Sequence, residues 1–223
     1  MSNAGSAGTS RKPHERMTSE AQLFRGLDAL GVELARVQIE KLLAYVALLA
    51  KWNKVHNLTA VREESRMVSH HVLDSLAVLP HIAAEQMLDV GSGGGLPGIP
   101  LAIARGEMRV TLLDSNKKKS TFLKQAAIEL ELVNVRVVSS RVEEFEYPPG
   151  FDVVISRAFS DLGEFVLAAR HLVTAGGLLA AMKGVYPHEE LTHLPAGFSL
   201  KRSIPLEVPG VNAKRHLLLV GAT

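Results

Sequence analysis

The stretch M-L-D-V-G-S-G-G-G-L-P-G-I-P, Met87 to Pro100, decides how the chain is read. An apolar strand seed (Met87, Leu88, Val90) runs into Gly91, Gly93, Gly95 and Gly98, and apolar periodicity resumes through Leu101 and Ile103. Strand, glycine turn and helix in that order open a βα unit, where a bound ligand approaches the backbone closely. Glycine suits the turn because a side chain would block that approach and because part of it needs positive φ.

Two glycine patterns overlap here. Gly93, Gly95 and Gly98 satisfy G-x-G-x-x-G, the dinucleotide fingerprint. Gly91, Gly93 and Gly95 also satisfy D-x-G-x-G-x-G, beginning at Asp89. A carboxylate at the strand end repels a pyrophosphate and welcomes a cation. That favours S-adenosylmethionine, which carries a sulfonium and an amino group but no phosphate, over NAD. The next strand, Arg109 to Leu113, ends in Asp114, 19 residues after Gly95. An acid about 20 residues on is placed to hold a ribose hydroxyl pair.

Outward from that stretch the rhythm is regular. Met87–Val90, Arg109–Leu113, Val135–Val138, Phe151–Ile155 and Leu178–Met182 are short apolar runs separated by helical segments, Lys117–Leu130 being the clearest. Such alternation predicts a parallel sheet covered on both faces. Phe198–Ile204 and His216–Val220 flank Pro209-Gly210-Val211-Asn212 and predict a closing antiparallel hairpin. Parallel strands closed by a terminal hairpin form the pattern of an α/β, Rossmann-like, adenosylmethionine-dependent methyltransferase fold. Before Met87 the periodicity is helical, with Leu23, Leu27 and Leu30 ending at Gly31, a second helix from about Val37 to Trp52, and a third from Glu64 to Leu79. Lys51–Val61 reads as a capping and loop segment. The organisation expected is a disordered, partly vector-derived tail (1–17), a helical extension (18–80) and a methyltransferase domain (81–223). A basic arm touching nucleic acid competes with a solvated tail for the first of these.

Composition narrows the chemistry. The 223 residues include no cysteine, which removes disulfides, thiolate metal sites and pyrimidine C5 methylation through a cysteine adduct. The longest apolar run, Leu42–Ala50, is too short for a bilayer, and no signal sequence opens the chain, so a cytoplasmic protein is expected. A net charge of +2 means that any nucleic-acid surface must come from local clustering. The pair His70-His71 with Asp74 invites a metal, but no further ligand is evident and none is expected.

Ligands of open α/β sheets bind beyond the carboxyl ends of the strands. There the sequence places Asp114 after the second strand and Ser139–Phe145 after the third, where Val142 and Glu143 flank an adenine. Arg157 follows the fourth strand and Lys183 the fifth, with Arg215 at the start of the last. Arg141, Arg157 and Lys183 are expected to open on one cleft and to meet a polyanion. Lys117, Lys118, Lys119 and Lys124 form a basic helix start, or simply a solvated face. Ser156-Arg157-Ala158-Phe159 stands where exocyclic-amine methylases carry N/D-P-P-Y/F. A guanine N7 already offers a lone pair, so positioning suffices. Arg157 can pair with O6 or phosphate, and Phe159 can stack on a base or fill the core.

The segments K-W-N-K-V-H-N-L-T-A-V, H-H-V-L-D-S-L, D-V-G-S-G-G-G-L-P-G-I-P, S-R-V-E-E-F, S-R-A-F and K-R-H-L-L-L-V closely resemble, in this order, the RsmG (GidB) family of bacterial ribosomal RNA methyltransferases. The resemblance runs from about Ser19 to the C-terminus. It implies methyl transfer from S-adenosylmethionine to N7 of a guanine in 16S ribosomal RNA near the decoding region. By motif, Gly91, Leu96, Val142, Glu143 and Arg157 would contact the cofactor, beside Asp89, Gly93, Gly95 and Asp114. Arg157, Lys183 and Arg215 would act at the acceptor, and Asn53, Asn57, His71 and Arg141 would meet the RNA. Leu96 stands where many relatives have phenylalanine. The expected partner is 16S RNA or the small ribosomal subunit, met by a monomer. An adenosylmethionine enzyme for another RNA or a protein, a nicotinamide oxidoreductase and a noncatalytic ribosome-assembly factor are the competing readings.

Overall fold

The computed structural model describes residues 17–157 and 159–223. The expected disordered tail, save Met17, and Ala158 lie outside the described residues. Thr18 caps α1 (Ser19–Leu30) by accepting from the Ala21 N–H at 3.2 Å, and Gly31 ends it at φ +64°. The second helix, α2 (Arg36–His56), runs a turn further than the sequence suggests. Lys51–His56 is helical because Asn53 is buried and its amide bonds forward, to the Thr59 N–H (2.9 Å) and the Val61 carbonyl (3.0 Å). Asn57 then stops the helix in the left-handed region, at φ +49°.

The third helix is not uniform. α3 (Glu64–Met67) passes into a π-helical stretch, Val68–Leu73, before α4 (Asp74–Leu76). Widened turns of this kind recur at functional sites, because the extra residue re-aims the side chains after it. His70, His71 and Asp74 are the residues it presents.

The strands follow the sequence closely: β1 (Gln86–Val90), β2 (Arg109–Leu113), β3 (Val135–Val138), β4 (Phe151–Ser156), β5 (Val173–Lys183), β6 (Phe198–Pro205) and β7 (His216–Ala222). They form one seven-stranded sheet in the order β3-β2-β1-β4-β5-β7-β6. The first five strands are parallel, and β7 runs antiparallel to both β5 and β6. The sheet is thus the expected Rossmann-like one. Helices α5 (Gly98–Ala104), α6 (Lys117–Glu129), α7 (Leu162–Ala169) and the short α8 (His188–Thr192) cover it.

Period-two alternation divides the core. Met87, Leu112, Val153 and Ile155 face one cluster, which also takes in α1, α2 and α5, while Leu88, Val90, Leu113 and Val154 face α7. The chain leaves β1 for β2 and β3 on one side, then crosses to β4 on the other. That reversal opens a crevice beside β1 at the carboxyl edge of the sheet.

Candidate functional site: a donor cavity and an acceptor cavity

The glycine turn after β1 adopts positive φ at Gly91 (+70°), Gly93 (+58°) and Gly95 (+88°). Most of its N–H groups are already engaged: Gly91 and Ser92 donate to the Leu113 carbonyl, Gly93 to Asp114 Oδ2 (2.8 Å), Gly95 and Leu96 to the Ser92 carbonyl, and Gly98 to Asp89 Oδ2 (2.9 Å). A phosphate-binding loop offers such groups to its ligand. Here the protein's own acceptors have taken most of them, and a pyrophosphate has little to hold.

Asp89 shares a sheet face with Met87, not with Val90, so its side chain points under α5. It is fully buried and absent from the cavity walls described below. Its part is to cap the start of α5 at Gly98, where a Cβ would overlap Leu112 Cδ2 and lie 2.7 Å from the carboxylate. Its other oxygen, Oδ1, has no hydrogen-bond partner among the described residues, and burial raises its pKa to about 7. The direct ligand contact expected of Asp89 is therefore replaced by a structural one, the cap of α5 beneath the turn. Gly93, Gly95 and buried Leu96 likewise shape the turn from below, whereas Gly91 faces the cavity.

A cavity of 310 Å³ opens above the turn. Its walls include Gly91, Asp114, Arg141, Val142, Glu143 and Phe159. Asp114 holds the Gly93 N–H with one oxygen and the Asn116 N–H (2.8 Å) with the other. That fixes the carboxylate at the rim, where lone pairs remain for a diol. Val142 is buried and Glu143 exposed, giving an apolar wall beside a polar edge. An adenosine-bearing ligand without phosphates fits this donor set. Phe159 lines the same cavity and packs 5.2 Å from the Phe165 ring, joining wall to core.

A second cavity, of 360 Å³, lies between β4, β5 and the π-helical stretch. Thr59, His71, Asp74, Arg157, Lys183 and Arg215 line it. Three of the four expected basic residues come together here, but Arg141 lines the first cavity, so one common cleft is not what forms. The reason is position in the sheet: Arg141 follows the outer strand β3, whereas β4, β5 and β7 are neighbours.

The state of His71 in this second cavity follows from its contacts. His71 Nδ1 lies 2.8 Å from the His70 carbonyl, which can only accept, so Nδ1 carries the proton. Nε2 then accepts from the Thr59 hydroxyl at 2.8 Å, and that oxygen accepts in turn from the Val61 N–H. Burial, and secondarily the Arg157 charge, lower the His71 pKa to about 4, so it is neutral at physiological pH. Lys183 is turned away from the expected acceptor role. Its ammonium contacts the Ser160 carbonyl (2.6 Å), the Phe159 carbonyl and Glu190 (2.7 Å), which also accepts from the Leu162 N–H. It thereby secures the segment that follows Arg157. Asn53 sits inside the helix-loop joint and cannot touch RNA directly, while exposed Asn57 holds Arg62 at 2.8 Å. Among the described residues no group of three or more His, Cys, Asp or Glu could hold a metal ion.

Two residues that sequence reasoning did not place as functional stand out. Asp74, considered only as a metal ligand, accepts from Arg157 (3.1 Å) and Arg215 (2.9 Å) together. Buried Tyr45 of α2 donates to the Gly94 carbonyl at 2.6 Å, bracing the glycine turn from the N-terminal helices. The tyrosine within an apolar helical run was the available signal.

A sheet of this order, with a carboxylate-rimmed turn at its reversal and a cationic cavity alongside, defines a Rossmann-like methyltransferase. Solved structures agree on the fold. The O-methyltransferase TomG from Streptomyces achromogenes superposes with a TM-score of 0.59 at 17% identity, over 93% of this chain and 99% of that one. The glycopeptide N-methyltransferase MtfA gives 0.56 at 11% identity, over 69% and 87%. Sequence comparison is more specific. The family model GidB, rRNA small subunit methyltransferase G, matches residues 38–218. The ribosomal RNA small subunit methyltransferase G of Laribacter hongkongensis is 56% identical over 205 residues, covering 92% of this chain and 99% of the relative. That of Chromobacterium violaceum is 55% identical over 199 residues, covering 89% and 95%. The chain belongs to the rRNA small subunit methyltransferase G family.

Proposed function

We propose that this methyltransferase carries a methyl group from S-adenosylmethionine to N7 of a guanine in 16S ribosomal RNA near the decoding region, as a cytoplasmic monomer acting on RNA of the small subunit. The observation that carries the choice of atom is the state of the second cavity. Its buried imidazole, His71, is neutral, poorly basic and occupied at Nε2, its carboxylate is tied to two arginines, and His70 beside them meets the Ser69 hydroxyl through Nδ1. Neither His71 nor Asp74 is therefore poised to remove a proton. An exocyclic amine or a hydroxyl needs one removed, whereas a ring nitrogen with an in-plane lone pair does not. Positioning alone then supplies the catalysis, an effect that can reach several orders of magnitude.

The donor's contribution, once bound in the first cavity, is an electrophilic sulfonium methyl. The chain does the rest. Asp114, Val142 and Glu143 orient the adenosine, and the Gly91 turn directs its reactive end toward β4. Arg157, which lines the second cavity and not the first where a cofactor contact was expected of it, offers a planar guanidinium to guanine O6 or a phosphate, and Arg215 adds a second cation. Asp89, beneath the turn, holds the start of α5 in place. An open groove of 860 Å³ along Pro205–His216 meets the second cavity at Arg215 and gives a flanking RNA strand room to lie.

The test is transfer of labelled methyl from S-adenosylmethionine to small subunits from cells lacking this gene. N7-methylguanosine in digested 16S RNA, reduced about 100-fold or more by Arg157→Ala with cofactor binding retained, is the expected outcome. Label on another nucleotide, another RNA or a protein would move the assignment there.

A further inference from the structure

Asp74 has one carboxylate and two cationic partners from distant parts of the chain. Oδ2 accepts from Arg157 Nη1 at 3.1 Å and Oδ1 from Arg215 Nε at 2.9 Å, across sequence separations of 83 and 141 residues. The acid side chain is 3% exposed, the arginines 28% and 24%. The carboxylate is thus sealed behind the cavity wall while both guanidiniums reach its mouth. Backbone carbonyls fix them further: Arg157 Nη1 also donates to His70, and Arg215 Nη1 to Lys214.

We propose that Asp74 is a positioning residue for methyl transfer, setting both the direction and the net charge of the Arg157–Arg215 pair against the RNA acceptor. This rests on the RNA-methylating role proposed above. Two guanidiniums side by side repel one another and would turn toward solvent or toward the nearest phosphates. One shared buried acid holds them as a rigid fork and cancels one of their two charges. The fork then reads a single acceptor group instead of gripping the RNA backbone wherever it passes. Asp74 sits directly after the π-helical stretch, whose extra residue aims it between β4 and β7. The N-terminal helices thereby take part in acceptor alignment without touching the reacting atoms.

The consequence is a split between catalysis and affinity. Asp74→Asn keeps the shape and removes the charge. Relative to wild type, its kcat on unmethylated small subunits should fall about tenfold or more, as expected of a displaced reacting pair. Its KM for the subunits should stay level or drop, and its binding should lose about one more unit of log affinity per log unit of salt, because one more cation is free for phosphate. S-adenosylmethionine affinity, measured by calorimetry on the full chain, should be unchanged. Arg215→Lys, which keeps the charge but loses the planar fork, should reproduce the kcat loss at constant KM, and decides the matter if Asp74→Asn does not fold. Wild-type kcat in these variants overturns the proposal. So does a kcat loss matched by equal losses of cofactor affinity and melting temperature, since the acid would then serve only the scaffold. Absence of methyl transfer by the wild-type protein would instead remove the RNA reading, and this inference with it.

Discussion

At the scale of single residues, burial displaces two titratable groups in ways that oppose each other. The native state favours neutral His71, whose pKa is near 4 against an ordinary 6.5. Between those values the unfolded chain binds the extra proton, so this contribution is complete above pH 6.5 and is lost as pH falls toward 4. Each tenfold change in proton affinity is worth about 1.4 kcal/mol, so the contribution amounts to roughly 3 kcal/mol. Asp89 has the reverse sign. Its pKa, raised from 3.8 to about 7, means that the folded state holds the proton. That contribution is complete below pH 3.8 and is lost as pH rises through 7. Melts from pH 4 to 8 should therefore separate the two: His71→Gln should lose less stability than wild type on acidification, and Asp89→Asn less on raising the pH from 6 to 8. Parallel curves for all three proteins would mean that neither group is displaced.

At the scale of elements, α2 serves as a brace for the cofactor turn. Tyr45 reaches Gly94 across 49 residues, and Leu49 lies where a Cβ on Gly94 would come within 3.1 Å. The helix therefore fixes the turn from behind while β2, through Leu113 and Asp114, fixes it from the side. Tyr45→Phe removes the donor and strands a buried carbonyl, which costs about 1–3 kcal/mol. Urea unfolding should show that loss, and titration should show weaker S-adenosylmethionine binding. A phenylalanine variant with wild-type affinity would mean that β2 alone holds the turn.

At the scale of the molecule, the helices before β1 and the sheet share one core. Leu23, Leu42, Tyr45, Leu49, Met67 and Leu76 pack in the same cluster as Met87, Ile99 and Phe122. Removing residues 18–80 would expose that face of α5 and α6 and leave Arg157 and Arg215 without Asp74. A chain beginning at residue 81 should therefore aggregate, or bind hydrophobic dyes with no cooperative melt. A cooperative melt from the shortened chain would show instead that the sheet and its remaining helices stand alone. No helix among the described residues is long and apolar enough to cross a membrane.

Amino-acid order alone determined the parts whose physics is local. Short apolar runs placed six of the seven strands to within two residues, β5 starting five residues earlier than expected, and the Gly91–Gly98 spacing located the cofactor turn, because strand patterning and positive φ act over a handful of positions. The acid after β2 and the basic residues after β4 and β5 were legible for the same reason: a parallel sheet sends every strand's carboxyl end to one edge. What those side chains do there was settled by how the folded backbone aims each one and by where its strand lies in the sheet. Asp89 turned under α5, Asn53 closed a loop, Lys183 paired with Glu190, and Arg141 fell to the other cavity. Arg215 meets Asp74 across 141 residues, and no local propensity records such a pairing. Only packing the N-terminal helices onto the sheet brings those charges into one low-dielectric space, where each must find its counterpart.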